Sequence, residues 1–356
     1  MCRTPALGGE LHGCEGCDHK EKRYHSCRNR HCPVCQGEAA RKWIENQKKK
    51  LLPVSYFHVV FTLPEELNPL FKYNRALLYD LFFKAGAETL QSFFEDKRHV
   101  GGQGGFFGVL HTWGQLIQFH PHIHWVVPNG GIDEAGRWVK PKRADSAKFL
   151  FPVRALSQVL RGKFLSALEK LHRKGRLRFP DPQSEASFRD TLNMAAAKNW
   201  NVYAKRPFAG PMQVIRYLGR YTHRIAMSPT RISGLGPEGV TFGYKDYRRD
   251  AARRTTTMDG EVFLRRFLEH VLPEGFRKIR YYGWLRGEVI KRHRKGLLEW
   301  FKRQSEFVRA FGALLASLAQ EAASSADSLC PNCESEPIRL LCKLAPEKIE
   351  PPPAHV

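Results

Sequence analysis

Long apolar runs are absent from this sequence. No stretch of its 356 residues approaches the ~18 consecutive apolar residues of a membrane-spanning helix, so we expect no transmembrane segment. Residues 1–13 have neither the basic start nor the apolar run of a signal peptide. We therefore expect a soluble chain that stays in the cytoplasm.

Acidic residues are also few. The chain has 58 Lys and Arg against 35 Asp and Glu, which gives a formal net charge of +23. An excess of one sign this large predicts a polyanionic partner. We expect nucleic acid, because no basic amphipathic helix dominates the sequence as it would in a protein that binds a membrane surface.

The rest of the composition is that of a globular protein. With 42% hydrophobic residues, the chain is long enough for about two domains. Residues 1–50 are rich in Cys, His and Gly, and predict a small zinc-binding domain. Residues 53–295 predict the main domain. Residues 296–356 begin as a helical segment and become a loose tail rich in Ser, Ala and Pro.

Local patterns predict the secondary structure. β-branched and aromatic runs predict strands, and apolar residues three or four positions apart predict helices. The predicted strands are Tyr56–Leu63, Phe106–Leu116, His122–Val127, Val240–Tyr244 and Arg254–Met258. The predicted helices are Gln36–Leu52, Leu70–Phe82, Val153–Leu171, Phe188–Lys198 and Met212–Arg224. This mixed order predicts an α+β fold, an antiparallel sheet with helices packed on one face.

The cysteines near the start of the chain have metal-ligand spacing. Two Cys-x2-Cys pairs, separated by fourteen residues, can close one tetrahedral zinc site with four thiolates, those of Cys14, Cys17, Cys32 and Cys35. Between the pairs lie His19, His25, Cys27 and His31. Either one of these replaces a cysteine ligand or a second ion binds, and the sequence leaves both open. Arg28 and Arg30 predict contacts to phosphates.

Three further cysteines lie near the other end of the chain. Cys330 and Cys333 form another Cys-x2-Cys pair, and Cys342 is the nearest third thiol. Because this set lacks a fourth cysteine, we interpret it as a degenerate knuckle without metal.

A His-hydrophobe-His strand is the second candidate site. Side chains alternate along a strand, so His122 and His124 share one face while Ile123 points into the core. Two imidazoles on one face can hold a divalent ion, Mg²⁺ or Mn²⁺, that polarises a phosphate. A third ligand is needed, and Gln115 is our first choice. His58, His111 and His120 are the alternatives.

Two tyrosines four residues apart form the third candidate site. On a helix Tyr217 and Tyr221 share one face, and a phenol oxygen can attack a phosphodiester once the phosphate is activated. An aromatic pair at this spacing can also be ordinary core. The basic residues of the same segment favour the chemical interpretation, because they would line a phosphate groove; they are Arg216, Arg220 and Arg224. Lys205, just ahead, either neutralises a leaving phosphate or belongs to a basic loop.

Four motifs in one order resemble the insertion-sequence-91 family of rolling-circle transposases. They are Ser26–Cys35 (SCRNRHCPVC), Leu110–Gln115 (LHTWGQ), His120–His124 (HPHIH) and Tyr217-x3-Tyr221, and the likeness covers roughly residues 1–295. Members usually carry a further segment ahead of the zinc module, whereas cysteine here begins at position 2, which raises the alternative of a shortened copy.

The resemblance implies a fold and an activity. It implies a His-hydrophobe-His (HUH) endonuclease-like antiparallel sheet in the catalytic domain, residues 53–295. Carried over residue by residue, it assigns His122 and His124 as metal ligands, Tyr217 and Tyr221 as nucleophiles, and the four paired cysteines as zinc ligands. The implied partner is single-stranded DNA, nicked and rejoined through a 5′-phosphotyrosine.

Two other functions remain open from the sequence. A plasmid replication initiator or relaxase would use the same chemistry, although the zinc module and paired tyrosines favour a transposase. A zinc-finger DNA-binding regulator would use the positive charge and the cysteines without catalysis.

Overall fold

The computed structural model describes residues 2–29, 31–142, 150–205, 215–216, 218–219, 222, 225–247, 249–302, 332–333 and 338–346. The chain divides into two compact units. We call residues 1–42 with 302–356 the cysteine unit and residues 43–301 the histidine unit.

The described residues contain strands and helices in mixed order. The strands are β1 Gly9–Cys14, β2 Lys20–Tyr24, β3 Tyr56–Thr62, β4 Gly105–Trp113, β5 Phe119–Pro128, β6 Gly131–Ile132, β7 Trp138–Val139, β8 Val202–Lys205, β9 Ile232–Gly236, β10 Gly239–Asp246, β11 Ala252–Met258, β12 Ile279–Gly283 and β13 Ile338–Leu344. The helices are α1 Pro33–Lys48, α2 Asn68–Tyr73, α3 Arg75–Glu95, α4 Val153–Arg173, α5 Pro182–Ala186, α6 Phe188–Ala197, α7 Gly260–Leu268 and α8 Gly287–Lys302.

A five-stranded antiparallel sheet forms the centre of the histidine unit. Its strand order is β12-β4-β5-β3-β8, so β5 is the middle strand. The predicted α+β fold with an antiparallel sheet is confirmed. The edge strands β8 and β12 are missing from the sequence prediction, because each is short and lacks a long β-branched run.

One face of this sheet carries the hydrophobic core. Alternate side chains of the inner strands, including Phe61, Ile123 and Trp125, are fully buried against helices α3 and α4. The apolar stripe of α4 is the one that its sequence predicts, Leu156, Leu160, Phe164 and Leu168, and all four side chains are fully buried. The other face of the inner strands is therefore the face on which function can be placed.

A smaller sheet follows in the same unit. Strands β9, β10 and β11 form an antiparallel meander. Phe242 of β10 packs against Phe263 of α7 in a separate small core with Ile117, Ile225 and Met227.

The cysteine unit is built around the three-stranded sheet β13-β1-β2. Strand β13 pairs antiparallel with β1 from Gly9↔Leu344 to Cys14↔Ile338, with one irregularity between Leu11 and His12. The prediction that the helical segment after residue 296 is followed by a loose tail is therefore wrong for residues 338–344. Periodicity within the tail could not reveal this strand, because its partner lies more than three hundred residues away.

Candidate functional site

His122 and His124 lie on the face of the middle strand β5 that is opposite the main hydrophobic core, which we call the histidine face. Between them Ile123 points to the other face, where it is fully buried in the core. Strand alternation thus brings both imidazoles together, as their spacing predicts. Their ring centroids are 4.9 Å apart.

His111 of the neighbouring strand β4 completes a group of three imidazoles. The register of β4 and β5 puts His111 directly opposite His122. Its ring centroid is 4.4 Å from that of His124, and one ring nitrogen from each of the three lies within 4.8 Å of the other two. Three imidazoles on two paired strands form a set of metal-ligand type.

Gln115, the first choice for a third ligand, is engaged elsewhere. It lies beyond the end of β4, in the turn to β5, where its Oε1 accepts a hydrogen bond from the Lys245 backbone N–H at 3.3 Å. Its own carbonyl accepts a bond from Arg231 at 2.6 Å. The described contacts place Gln115 with β10, and His111 stands with the histidine pair instead.

Hydrogen bonds determine which ring nitrogen of His122 and of His124 keeps a lone pair for a metal. Nδ1 of His122 donates to the His120 carbonyl at 2.7 Å, so Nε2 of His122 carries the lone pair. Nδ1 of His124 is 2.7 Å from Nε2 of His58 on β3, and the two rings are stacked with their centroids 5.0 Å apart. If the proton lies on Nδ1 of His124, its Nε2 is also the acceptor. Such partners orient metal-binding histidines.

Burial keeps these imidazoles neutral. It lowers the pKa of His122 to about 4 and that of His58 to about 4. Burial, followed by the neighbouring histidines, lowers the pKa of His111 and of His124 well below its ordinary value. A neutral imidazole has a lone pair to give to a metal, so all four are in the form that coordination needs.

Lys205 lies on the edge strand β8, on the same face of the sheet as the histidines. The sequence leaves it either near a phosphate or in a basic loop, but it is the last residue of strand β8 and lies opposite His58 in the register. Its side chain is exposed. Lys205 therefore lies on the strand next to that of His58, opposite it in the register.

The segment with the paired tyrosines is described only in part. Tyr217 and Tyr221, with Arg220 and Arg224, lie outside the described residues. The described positions 215, 216, 218, 219 and 222 are helical, with Ile215, Leu218 and Thr222 fully buried and Arg216 exposed.

A close approach fixes this segment against the end of helix α1. A Cβ at Gly219 would stand 2.4 Å from Cγ1 of Ile44, so only glycine lets the two helices come this close. The neighbouring Trp43 in turn packs edge-on against Phe107, with 5.8 Å between ring centroids. Phe107 lies on the same face of β4 as His111, which is four residues further along the strand. The segment is thus linked by packing to the histidine face.

The cysteines of the other unit form two clusters and not one. The sulphur atoms of Cys2, Cys27, Cys32 and Cys35 lie within 4.8 Å of one another, and those of Cys14, Cys17 and Cys333 form a second group with the same limit. The single site predicted for Cys14, Cys17, Cys32 and Cys35 is therefore divided, with one pair in each cluster. Sequence spacing cannot show this division, because Cys2 and Cys333 join through the folded chain.

The first cluster has donors suited to zinc. Sγ of Cys35 is 3.3 Å from that of Cys2 and 3.5 Å from that of Cys27. Desolvation opposes ionisation of Cys35, but hydrogen bonds from Cys2, Cys27 and Cys32 together lower its pKa to about 7. Four sulphur donors around one point are the set that a structural zinc site uses.

The basic residues predicted to contact DNA are placed unevenly. Arg28 lies in the loop after β2, exposed, with a φ of 49° in the left-handed region. Arg30 lies outside the described residues.

Among the helices of the described residues, none has the length and apolarity that a membrane span requires.

Two family models match this chain. One, described as "Putative transposase", matches residues 105–294, which include the histidine group. The other, described as "Transposase zinc-binding domain", matches residues 1–63, which include the first cysteine cluster.

Two related proteins have sequences similar to this chain over most of their length. The chain is similar to "Putative transposase y4qJ" of Sinorhizobium fredii, 47% identical over 80% of this chain and 72% of that protein. It is 32% identical, over 85% of this chain and 72% of the other, to the transposase for insertion sequence element IS801 of Pseudomonas savastanoi pv. phaseolicola.

Among solved structures, metal-bound conjugative relaxase TrwC with oriT DNA matches at 15% identity and a TM-score of 0.26, over 47% of this chain and 70% of its own. TrwC with a 27-mer DNA matches at 16% identity and a TM-score of 0.27, over 51% and 68%. The matched family models and the identities to both transposases establish that this chain belongs to the insertion-sequence-91 family of transposases.

Proposed function

We propose that this transposase nicks and rejoins single-stranded DNA through a transient bond between a tyrosine and a 5′ phosphate, in rolling-circle-type transposition. The observation that carries the proposal is the group of three neutral imidazoles, His111, His122 and His124, on the histidine face of the central sheet. Its support is the lysine at the edge of that face and the match to transposases over the same residues.

The donor set fits a divalent ion. Nε2 of His122 is available to a metal because its Nδ1 donates to the carbonyl of His120. His58 contacts Nδ1 of His124 and so orients that ring. Three nitrogen donors favour Mn²⁺ over Mg²⁺, which prefers oxygen ligands. A bound ion would act as a Lewis acid that withdraws charge from the scissile phosphate.

The nucleophiles in this proposal are Tyr217 and Tyr221. A phenol oxygen attacks phosphorus and forms a Tyr–O–P bond, the bond from phosphorus to the 3′ oxygen breaks, and that oxygen leaves as a 3′ hydroxyl once it has gained a proton. A 3′ hydroxyl that attacks the phosphotyrosine reverses these changes and rejoins the strand. The step needs no ATP, because the phosphodiester energy is kept in the phosphotyrosine bond.

Three sets of basic residues would have positioning roles. Lys205 would neutralise the scissile phosphate or a bound 3′ end from the edge of the histidine face. Arg216, with Arg220 and Arg224, would hold the DNA backbone beside the tyrosines. Arg28 and Arg30 would contact the DNA backbone from the cysteine unit.

The cluster of Cys2, Cys27, Cys32 and Cys35 would bind one structural zinc ion.

The test uses single-stranded oligonucleotides that tile the DNA on both sides of the gene, labelled in turn at each end, with Mn²⁺. We expect a covalent bond between the protein and the 5′ phosphate of the downstream fragment and a free 3′ hydroxyl on the upstream fragment, and no adduct for the double variant Tyr217→Phe, Tyr221→Phe. Tyr203→Phe is the matched control, since Tyr203 is an exposed tyrosine of strand β8. An adduct on Tyr203, Tyr244 or a serine would overturn the proposed mechanism.

The single variants separate transposition from nicking alone. If the two tyrosines act in turn, Tyr217→Phe and Tyr221→Phe each still nick but fail to complete strand transfer between two oligonucleotides. Full strand transfer by both single variants would contradict alternation. Binding without any adduct, whatever the metal, would favour the non-catalytic DNA-binding function.

A further inference from the structure

The second cysteine cluster joins two distant parts of the chain. Cys14 and Cys17 lie at the turn after β1, while Cys333 precedes β13, the strand that pairs with β1 along its whole length. The ion pair between Arg339 and Glu15, at 2.9 Å, ties the same two segments. The zinc-binding family model ends at residue 63 and therefore omits Cys333.

The spacing of these sulphur atoms fits shared coordination better than a disulfide. Sγ of Cys14 is 3.6 Å from Sγ of Cys333, whereas disulfide sulphurs are about 2.05 Å apart. Two thiolates bound to one tetrahedral zinc at ~2.3 Å stand roughly 3.8 Å apart. The sulphur of Cys17 lies within 4.8 Å of both.

Neighbouring N–H groups point at two of these sulphurs. The backbone N–H of Gly16 donates to Sγ of Cys14 at 3.3 Å, and Nδ2 of Asn332 donates to Sγ of Cys17 at 3.6 Å. Donors of this kind stabilise the thiolate over the thiol. Asn332 comes from the same segment as Cys333, so both sides of the cluster help to build it.

From this arrangement we propose that Cys14, Cys17 and Cys333 bind a second zinc ion, separate from the ion assigned to Cys2, Cys27, Cys32 and Cys35. No cysteine is shared between the two groups. The second ion fastens the segment that contains β13 to the N-terminal sheet. This proposal replaces the interpretation of Cys333 as part of a metal-free knuckle, because among the described residues Cys333 groups with Cys14 and Cys17.

The sequence offers a fourth ligand. Cys330, outside the described residues, has the Cys-x2-Cys spacing to Cys333 that zinc sites use. Among the described residues, no further His, Cys, Asp or Glu places a ligand atom within 4.8 Å of all three sulphurs. Loss of the second ion in Cys330→Ser in the full chain would identify Cys330 as the fourth ligand.

The experiment counts zinc in the purified full chain by inductively coupled plasma mass spectrometry. We expect two zinc ions in the wild type, one in Cys333→Ser and one in Cys35→Ser, which removes a ligand of the other cluster. Cys342→Ser is the matched control, because Cys342 is exposed on β13 and belongs to neither cluster. It should keep both ions.

A second readout separates loss of a ligand from loss of folding. Hydrogen exchange of residues 338–344 should become faster in Cys333→Ser and stay slow in Cys342→Ser, while exchange of α1 remains at the wild-type rate in both. Cys333→His, which keeps a zinc donor, should recover the second ion. In the cobalt-substituted chain, Cys333→Ser should lose part of the sulphur-to-cobalt absorption.

Three results would overturn the second site. The first is an unchanged zinc content in Cys333→Ser, the second is a wild type with one ion that depends on Cys35 alone, and the third is iron in place of zinc. A disulfide between Cys14 and Cys333, found by mass spectrometry under non-reducing conditions in the zinc-containing protein, would also exclude it.

Discussion

The two units of this transposase hold their chemical groups in opposite ways. In the histidine unit, three imidazoles stand on strands whose other face is covered by a large buried core. In the cysteine unit, no hydrophobic side chain among described residues 2–29, 31–42, 332–333 and 338–346 is buried. From this difference we expect the sheet to position the histidines without metal and the cysteine unit to need metal in order to fold.

Removal of zinc should produce the largest effect. With a strong zinc chelator we expect amide protection to collapse in β1, β2 and β13, since structural zinc sites contribute on the order of 10–16 kcal/mol. Strands β3, β4 and β5 should stay protected. Hydrogen exchange followed by mass spectrometry resolves both regions in one sample. Equal loss in both units would break the comparison, and so would full protection in both.

Loss of one histidine should affect activity far more than folding. We expect His122→Ala to lower the nicking rate at least about 100-fold, because Lewis-acid stabilisation is worth several kcal/mol. Exchange protection of β5 should remain close to that of the wild type. His120→Ala is the control, because the hydrogen bond from His122 goes to the backbone carbonyl of His120, which alanine keeps. Unfolding of β5 in His122→Ala would show that the site supports the sheet.

His58 tests whether the sheet alone aligns the site. His58→Phe keeps a ring beside His124 but removes the nitrogen 2.7 Å from Nδ1 of that residue. We expect about 10- to 100-fold weaker Mn²⁺ affinity, since partners of metal-binding histidines have effects of this size. A manganese titration of nicking measures it, and saturating Mn²⁺ should restore the rate. A lower rate that excess metal cannot restore would contradict this role.

Gln115→Ala should have the smallest effect. The Gln115 side chain contacts the meander and not the histidines, so we expect nicking to fall by less than about threefold, as for substitutions away from a site. The comparison with His111→Ala sharpens the assignment, because that variant should lose as much activity as His122→Ala. If instead Gln115→Ala were inactive and His111→Ala active, the third ligand would be Gln115.

Local patterns predicted much of the histidine unit. Helix α4 was expected at Val153–Leu171 and runs to Arg173, and strand β3 was expected at Tyr56–Leu63 and ends at Thr62. The shared face of His122 and His124 follows from strand alternation alone. These features depend on residues that are close in sequence, so a local pattern contains the information for them.

Other features depend on which segments become neighbours. His111 joins the site only through the register of β4 with β5, which the sequence does not give, and the sequence favoured Gln115 as the third ligand. The grouping of the cysteines depends on Cys2 and Cys333, which no spacing rule connects to their partners. Sequence periodicity contains no information about such long-range pairing.

The pairing of β1 with β13 also imposes an order on synthesis. Gly9 and Leu344 are partners, so β1 leaves the ribosome more than three hundred residues before the strand that completes its sheet. The whole histidine unit, residues 43–301, is translated in the interval. During that time Cys333 is not yet present to group with Cys14 and Cys17. A chain that ends before β13 cannot form the complete sheet. Completion of the cysteine unit therefore marks a polypeptide that has been read through to residue 344.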